Sequence, residues 1–197
     1  MHKNYFVDET VSIGNDVKIG NFVSIHKDVK IEKNVKINDG ARIYENCIIE
    51  QNSIIGSNAV LRPNTIIGKN SVFGNLSVSE GQNKIGDYTT IHSQCHITSG
   101  VTIGDNCFIA PFFIASNTPD ITSGKHGTGK IEPAKTLTTV IEDFVRIGIC
   151  VSMTPNNKIG HHSLILQNCL LTKDIPPYSI VKSGKDKVGE VIGKVQS

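Results

Sequence analysis

The chain of 197 residues lacks the sequence features that are typical of nucleic-acid-binding, membrane-spanning and secreted proteins. Charged residues make up 19% and the formal net charge is +2, so the overall charge does not indicate a nucleic-acid partner. No apolar run approaches the roughly 18 consecutive residues that a membrane-spanning helix needs. The first ten residues, MHKNYFVDET, lack the apolar stretch of a secretory signal. We therefore expect a cytoplasmic protein with neither a membrane nor a nucleic acid as partner.

The cysteines are few and their number is odd. They are Cys47, Cys95, Cys107, Cys150 and Cys169, and no two of them have the C-x-x-C spacing. This pattern argues against both a disulfide framework and a zinc ribbon. Four of the five fall at core positions of the repeat described below, so we interpret the cysteines as small buried hydrophobic residues. We assign no metal site.

What the chain does have is a repeat of six residues. An apolar residue returns at every sixth place over residues 7–73, then over 85–115, and again over 141–171. If this residue is called position 1, position 5 is small or β-branched, and Asn or Gly recurs at position 4. Gly is frequent at position 2. The repeat is the main structural signal of the chain.

A six-residue period fits neither an amphipathic helix nor a coiled coil, whose apolar residues return every 3.6 or 3.5 residues. It fits short strands whose neighbouring side chains face alternately in and out. Asn and Gly at position 4 suit the turns between strands, because both tolerate left-handed backbone. The pattern predicts an all-β, parallel β-helix in which each coil buries its neighbour's apolar edge, with Gly at position 2 keeping the outer face flat and accessible. We expect Ile55, Ile67, Ile97 and Ile109 to be fully buried.

Over residues 7–182 the repeat resembles the hexapeptide-repeat, left-handed β-helix family. The resemblance implies three sixes in each triangular coil and a left-handed crossover, which is an exception to the usual handedness. At ~4.8 Å per coil, about eight coils make a prism about 40 Å tall. The family assembles as homotrimers, and flat faces with outward Gly, Val and His suit such packing. We divide the chain into a β-helix domain, 1–182, and a C-terminal tail, 183–197.

Two segments interrupt the repeat. The first, GNLSVSEGQNK at 74–84, leaves twelve residues between Phe73 and Ile85, so we interpret it as an imperfect coil that keeps the register. The second separates Ala115 from Ile141 by 26 residues, which is not a multiple of six. It is rich in Gly, Lys and Pro, and we predict an excursion loop at 116–140. A long loop in a compact fold is usually functional or disordered; the clean return of the repeat favours function.

Around this loop the sequence resembles a smaller group of proteins within that family. The segments IAPFFIASNTPD, TTVIEDFVRIG and TKDIPP are similar to the acyl-coenzyme A sugar acyltransferases, in particular the N-acetyltransferases of nucleotide-linked amino sugars for surface polysaccharides. The resemblance implies acetyl-CoA as co-substrate, a UDP- or dTDP-sugar as acceptor, and active sites at the subunit interfaces of a homotrimer. It matches Ser116 and Asn117 to the family's Thr-Asn site. It also assigns the following loop to the substrate, with Lys125, His126 and Lys130 as candidate contacts.

Forming an amide from a thioester needs a base for the amine's proton and a hydrogen-bond donor for the oxyanion. His92 and His96, in the segment IHSQCHI, lie at positions 2 and 6, so both side chains are predicted to point outward. Within one chain His96 is nearer to Asn117, because it lies on the strand that leads into the same corner. Across a trimer interface His92 could be the nearer of the two to Asn117. We predict that Asn117 orients the amine or the thioester and that one of the two histidines, by preference His96, accepts the proton. Other histidines are interpreted as solvated: His2, His26, His161 and His162.

The coenzyme A arm is expected to run along the last coils toward the C-terminus. Gly148 and Gly160 would let the pantetheine lie against the backbone. Lys173 and Lys182 belong to a modest local excess of positive charge, which suits the coenzyme's phosphates.

Three alternative functions use the same fold. A sugar O-acetyltransferase would need the same parts, and the residues do not separate N- from O-acylation. A γ-type carbonic anhydrase needs three histidines around zinc; His92 and His96 are one residue too close for that family's spacing, and the position two coils before His92 is Gly56. A non-catalytic β-helix would have no use for an inserted Lys- and Gly-rich loop.

Overall fold

The computed structural model describes residues 4–117, 139–185 and 188–196. All the regular secondary structure in those ranges is β-strand, and every strand except the last two is two residues long. The first nine strands are β1 (Phe6–Val7), β2 (Ser12–Ile13), β3 (Lys18–Ile19), β4 (Ser24–Ile25), β5 (Lys30–Ile31), β6 (Lys36–Ile37), β7 (Arg42–Ile43), β8 (Ile48–Ile49) and β9 (Ile54–Ile55). The next nine are β10 (Val60–Leu61), β11 (Ile66–Ile67), β12 (Val72–Phe73), β13 (Val78–Ser79), β14 (Lys84–Ile85), β15 (Thr90–Ile91), β16 (His96–Ile97), β17 (Thr102–Ile103) and β18 (Phe108–Ile109). The last nine are β19 (Ile114–Ala115), β20 (Val140–Ile141), β21 (Arg146–Ile147), β22 (Ser152–Met153), β23 (Lys158–Ile159), β24 (Leu164–Ile165), β25 (Leu170–Leu171), β26 (Ser179–Ser183) and β27 (Gly189–Lys194).

The strands form three sheets around one core. Sheet A has the order β1-β4-β7-β10-β13-β16-β19-β22-β25, sheet B the order β2-β5-β8-β11-β14-β17-β20-β23, and sheet C the order β27-β26-β24-β21-β18-β15-β12-β9-β6-β3. Successive strands therefore join sheets A, B and C in turn, and paired residues such as Phe6 and Ser24 are 18 apart in sequence. The prediction of a left-handed parallel β-helix is confirmed, with nine levels in sheet A where about eight were expected from the coil rise.

The corners of the triangle form three edges along the prism, which we name by the sheets they join in chain order: the A–B, B–C and C–A edges. Position 4 of the repeat lies on these edges with positive φ. Asn34, Asn52 and Asn64 have φ of 60°, 61° and 62°, and even Phe112 and Cys150 adopt 64° and 55°. Left-handed backbone costs a residue other than glycine about 1–2 kcal/mol. The closure of each coil therefore imposes the turn, and after Gly, Asn is among the residues that tolerate it best.

The core is the column of position-1 side chains. Ile55, Ile67, Ile97 and Ile109 are each 0% exposed, as predicted. Four cysteines are buried and only Cys150 is exposed, which confirms their interpretation as core residues. Burial raises the pKa of the thiols of three of them, Cys47, Cys95 and Cys107, to about 11, so these thiols are inert as nucleophiles near neutral pH.

The interruption at 74–84 is an imperfect coil that stays in register. Strand β13 pairs with β10 and β16, so Ser79 takes the place of the usual aliphatic residue in the core. Its hydroxyl lies 2.8 Å from the Thr65 hydroxyl and accepts a hydrogen bond of 2.8 Å from the Asn83 amide. The hydrogen bonds offset the cost of burying these polar groups.

The two ends of the prism differ. Ile13, in the first coil, is 43% exposed because no coil of the described residues packs beneath it. At the other end β26 and β27 pair antiparallel, with Lys182 opposite Glu190. Part of the segment that we set aside as a tail, 183–197, is therefore a strand of sheet C. No helix among the described residues is long and apolar enough to cross a membrane.

Candidate functional site

The segment predicted as an excursion loop begins at the A–B edge, between a strand of sheet A and a strand of sheet B. Strand β19 in sheet A ends at Ala115, and sheet B resumes at β20, where Val140 pairs with Thr102. The repeat therefore returns in register after the insertion. Most of the loop, with the candidate substrate contacts Lys125, His126 and Lys130, lies outside the described residues.

The two candidate base residues lie on either side of the C–A edge. His92 follows β15 in sheet C, and His96 begins β16 in sheet A, with Ser93 and Gln94 forming the corner between them. Both histidines are half-buried, because their alternation with the buried Ile91 and Ile97 turns them outward. The structure thus confirms that the two side chains face outward and brings them to one edge.

His96 has a carboxylate partner that sequence reasoning did not single out. Its Nε2 lies 3.4 Å from Oε1 of Glu80, and Oε2 of the same carboxylate lies 3.2 Å from Nη1 of Arg62. Glu80 follows β13, one coil below His96, so the contact is diagonal between neighbouring coils. A carboxylate in this place can hold the imidazole ring in one orientation.

His92 begins a column of small side chains along sheet C. Its ring meets Phe108 edge-on, with ring centroids 5.0 Å apart. Above it in the same column lie Ala110 and Gly148, followed by larger residues near the end of the prism. Neither Ala110 nor Gly148 projects a long side chain, so the sheet surface above His92 is bare over two coils.

This column leads into an open groove at the upper C–A edge. The groove has a volume of about 980 Å³ and is lined by residues that include Cys150, Ser152, Asn168 and Lys182. Lys182 lies four coils above His92, about 19 Å along the prism. The groove and the histidines therefore belong to one edge.

The predicted coenzyme-binding residues do not all lie on that edge. Gly148 and Lys182 share the column in sheet C that runs into the groove. Gly160 follows β23 in sheet B, and Lys173 follows β25 at the A–B edge. Within one copy, only Gly148 and Lys182 can contribute to the same binding surface.

Packing between coils gives its own reason for glycine at Gly148 and Gly160. A Cβ atom on Gly148 would lie 2.7 Å from the backbone nitrogen of Gln167, in the next coil. A Cβ atom on Gly160 would collide with Pro177 in the same way. The space that these glycines leave is filled by the following coil, so close coil packing requires glycine there whether or not a ligand binds outside.

Asn117 lies at the A–B edge, where its Nδ2 donates a hydrogen bond of 3.4 Å to the carbonyl oxygen of Ser99. The neighbouring Ser116 is tied to the next coil, its backbone N–H donating to the Met153 carbonyl at 2.9 Å. His96 pairs with Ile114, three residues before Asn117, so the two candidates are separated by about 10 Å along the strand. In one copy they stand at opposite sides of sheet A.

A second cluster of polar and aromatic side chains lies on the B–C edge. His162 stacks between Phe144 and Tyr178, with ring centroids 4.6 and 5.0 Å apart. His161 Nδ1 lies 3.0 Å from His162 Nδ1, so one of the two atoms carries a proton that the other accepts. We interpreted these histidines as solvated, but both are half-buried. The 18 residues between Phe144 and His162, one full coil, were the signal for this stack.

Beside this stack is a smaller groove of about 350 Å³ on sheet B. Glu142 lines it and accepts a hydrogen bond of 2.9 Å from the His161 backbone N–H. Lys158 contacts the same carboxylate at 2.5 Å, and these two hydrogen bonds, with the Lys158 bond foremost, lower the pKa of Glu142. In the three described ranges of the chain, no group of three His, Cys, Asp or Glu residues is placed to hold a metal ion.

Comparison with known proteins agrees with this architecture. A family model described as bacterial transferase hexapeptide (six repeats) matches residues 84–112, and one described as the GMPPB C-terminal domain matches residues 1–76. A curated relative, the bifunctional protein GlmU of Methanococcus vannielii, is 36% identical over 83 residues. That match covers 40% of this chain, and the chain spans only 20% of the relative's length.

Several solved structures share the fold. A UDP-N-acetylglucosamine acyltransferase from Campylobacter jejuni has a TM-score of 0.75 at 22% identity, covering 98% of this chain and 74% of that one. The enzyme of the same name from Bacteroides fragilis has a TM-score of 0.64 at 20% identity, with coverage of 98% and 74%. A hexapeptide-repeat acetyltransferase from Vibrio cholerae, complexed with acetyl coenzyme A, has a TM-score of 0.56 at 24% identity, with coverage of 66% and 71%.

The fold is thus the left-handed parallel β-helix that these solved proteins share. The match of the hexapeptide-repeat model to residues 84–112, together with this fold, agrees with the resemblance read from the six-residue period.

Proposed function

We propose that the protein is an acetyl-CoA-dependent N-acetyltransferase acting on a nucleotide-linked amino sugar. The observation that carries the proposal is the C–A edge, where two outward histidines and a long groove lie in one line. The solved proteins with this fold include two acyltransferases of a UDP-sugar and one acetyltransferase holding acetyl-CoA, and their activities support the same chemistry here. Such a product would serve surface polysaccharide synthesis, with both substrates drawn from the cytoplasm.

Acetyl-CoA is assigned to the upper C–A edge. Its phosphates would meet Lys182 in the groove, and the pantetheine would descend over the bare column of Gly148 and Ala110. The thioester would then arrive at the corner between His92 and His96. Between Lys182 and Gly148 the chain would pass over Leu166, which lines the groove, and below Gly148 the column stays bare as far as His92.

The chemical step requires the acceptor amine to attack the thioester carbonyl and lose a proton. In the proposed mechanism neutral His96 takes this proton, and Glu80 stabilises the resulting imidazolium. The tetrahedral intermediate then collapses, breaking the C–S bond, and the coenzyme leaves as a thiol after receiving a proton from the imidazolium. His92 lies on the other side of the same corner and would contact the acyl group.

Asn117 is assigned to the oxyanion or the acceptor amine from across a subunit boundary. Its distance from His96 along sheet A, about 10 Å, is too great for both to touch one reacting carbon from the same copy. A homotrimer would bring the A–B edge of one copy to the C–A edge of the next.

Exposed apolar side chains near the C–A edge support such an assembly. Leu76, Phe112 and Ile149 are 55%, 47% and 48% exposed, and all three lie on this edge. Exposed apolar side chains clustered along one edge mark interaction surfaces more often than scattered ones do. Light scattering should give three times the 21.4 kDa chain mass, whereas a monomer mass would remove the interface site.

The direct test is to incubate the protein with acetyl-CoA and a panel of UDP- and dTDP-linked amino sugars, measuring free thiol and product mass. Matched sugars with a hydroxyl in place of the amine separate N- from O-acetylation. We expect one amino sugar to yield a product 42 mass units heavier, the mass that an acetyl group adds; transfer only to the hydroxyl sugars would make the protein an O-acetyltransferase. No transfer to any member would overturn the proposed function.

Cys150 offers an independent check on the donor site. Its thiol is the exposed one of the five, and it lines the groove assigned to acetyl-CoA. Saturating acetyl-CoA should therefore slow its alkylation by iodoacetamide, while the nucleotide acceptor alone should not. Equal alkylation rates with and without acetyl-CoA would place the coenzyme elsewhere.

A further inference from the structure

The outer face of sheet A below His96 carries four side chains that the proposed chemistry does not explain. They are His26, Arg42, Tyr44 and Arg62, which we call the Arg42 patch. Tyr44 and Arg62 occupy position 2 in neighbouring coils, as does His26 one coil lower. Arg42 lies two residues before Tyr44 and so on the same face of the strand.

The aromatic part of the patch is ordered but not buried. The rings of His26 and Tyr44 stack with centroids 4.7 Å apart and an angle of 10° between their planes, and Phe6 meets His26 edge-on at 6.3 Å. Tyr44 and His26 remain half-exposed. Stacked rings at a solvent-facing surface offer a platform against which a flat ring of a ligand can pack.

The charges of the patch are arginines, and the chain has few of them. Only Arg42, Arg62 and Arg146 occur in the whole sequence, and two of the three lie beside Tyr44. Arg62 uses Nη1 for Glu80 and keeps its other guanidinium N–H groups available. Arg42 is exposed and makes no ion pair with any described residue. Arginine suits phosphate because its planar fork donates two parallel hydrogen bonds.

The Arg42 patch lies below the candidate base, His96, on the same face of sheet A. Arg42, Val60, Val78 and His96 are successive Cα partners in sheet A. Three coils therefore separate Arg42 from His96, about 14 Å, and Arg62 lies between them. Glu80 links the two ends, with one carboxylate oxygen toward Arg62 and the other toward His96.

We propose that the Arg42 patch binds the nucleoside diphosphate part of the acceptor. The diphosphate would lie between Arg42 and Arg62, and the pyrimidine would pack against Tyr44 and His26. The sugar would then extend up sheet A to present its amine near His96. The identity of the ligand as a sugar nucleotide rests on the proposed function, but the binding of a nucleoside diphosphate can be measured without any transfer.

The test is isothermal titration calorimetry of the full chain with UDP and with dTDP, together with uridine and inorganic pyrophosphate as the two halves of the ligand. We expect UDP or dTDP to bind more tightly than either half. Arg42→Ala should weaken nucleotide binding about 10- to 100-fold, the loss expected for a hydrogen bond to a charged group. Tyr44→Ala should weaken it about 10-fold, because a stacking surface is lost.

Arg146→Ala is the matched control, since it removes the remaining arginine from sheet C and should leave nucleotide affinity unchanged. Melting temperatures equal to that of the wild type would show that each variant folds. Pyrophosphate binding as tight as UDP binding would reduce the patch to an anion site and overturn the nucleotide assignment. Equal loss in the Arg42 and Arg146 variants, or no binding of either nucleotide by the wild type, would overturn the proposal as a whole.

The failure of this proposal can be told from failure of the proposed function. If the wild type acetylates a nucleotide-linked amino sugar and Arg42→Ala and Tyr44→Ala leave the Kd for UDP and the acceptor KM unchanged, the acceptor binds elsewhere and the enzyme assignment stands. If UDP binds and both substitutions weaken it while no panel member is acetylated, the patch stands and the acetyltransferase assignment fails.

Discussion

The coils below residue 73 and those above residue 84 have the same backbone but different outer surfaces. In the lower part the repeat is unbroken, and Asn34, Asn52 and Asn70 form a ladder of side-chain hydrogen bonds, each 3.1 Å, along the B–C edge. In the upper part the same edge carries the Phe144–His162–Tyr178 stack instead. The lower coils of the B–C edge thus use their outward residues to support one another.

The same contrast holds along the C–A edge. With the exception of the exposed Phe22 in the lowest turn, its lower turns carry polar residues such as Asp39 and Asn58, whereas the upper turns carry Phe112, Ile149 and the exposed Cys150. The groove and the histidine pair are in this upper part. The outward residues of a coil can therefore differ without a change in its backbone, because the buried residues at positions 1 and 5 determine the backbone conformation.

The largest effect that we expect is on the catalytic rate, which substitutions in the upper coils should lower and substitutions in the lower coils should not. His96→Ala should lower turnover about 10²–10⁴-fold, the usual contribution of a general base. It should also remove the pH dependence of the rate that a protein base imposes. Glu80→Gln should lower the rate less and alter the pH profile, because Gln keeps the shape but not the charge that stabilises the imidazolium.

Asn34→Ala, in the ladder of the lower part, is the matched control and should keep the wild-type rate. Unchanged rates and pH profiles in both His92→Ala and His96→Ala would remove the protein base from the mechanism. The proton would then pass to water or to the substrate.

The next largest effect concerns the corner where the loop leaves the prism. Asn117→Ala should lower turnover about 10²–10³-fold, the range for losing one oxyanion donor. Mixing Asn117→Ala chains with His96→Ala chains under conditions that exchange subunits should restore part of the activity, since some interfaces would regain both residues. A mixture no more active than the separate variants would contradict a site shared between copies.

A core substitution should destabilise the fold more in the middle of the prism than in the first coil at its lower end. Ile97→Ala should lower the free energy of unfolding by about 2–5 kcal/mol, because it leaves a cavity in a fully buried column. Ile19→Ala should cost less, since Ile19 is only partly buried in the first coil. Urea unfolding of both variants gives the comparison, and equal losses would mean that the lower end is as tightly packed as the middle.

The smallest expected effect is the acid sensitivity of the upper B–C edge. The hydrogen bond from Lys158 lowers the pKa of Glu142 below its ordinary value of 4.5, so the carboxylate stabilises the fold above that value. The contribution is lost as the pH falls through the lowered pKa. Since both side chains are partly exposed, it should be under about 1 kcal/mol. Lys158→Met should remove this difference between pH 7 and pH 3 in urea titrations, with Lys36→Met in the lower coils as control.

Much of the fold was predictable because its rule is local and repeats. The burial of Ile97, the turn at Asn52 and the outward direction of His96 each follow from the position of the residue within its six-residue repeat. None of them depends on residues far away in the sequence. The same arithmetic, with a coil of 18 residues, places Asn117 over Ser99. The imperfect coil at 74–84 was predictable for the same reason, since Ser79 and Asn83 kept the spacing.

The candidate site was predictable only in part. Its histidines and Asn117 came from their positions and from the family resemblance, but their separation across sheet A became clear only in the folded coil. Glu80 was missed because its contact with His96 is diagonal, and the step of 18 residues pairs Glu80 with Thr98 instead. The contacts of Lys125, His126 and Lys130 stay predictions.

By itself, the sequence determined which residues face the core, where the corners fall and which side chains point outward, because strand alternation and turn geometry act over a few residues. Only the tertiary structure decided which outward residues become neighbours. It placed Gly148 and Lys182 in one column of sheet C, sent Gly160 and Lys173 to other faces, and set Arg42 and Arg62 around Tyr44. The physical reason is that the coil fixes the Cα positions at each level, while the reach of long side chains across levels decides which atoms meet.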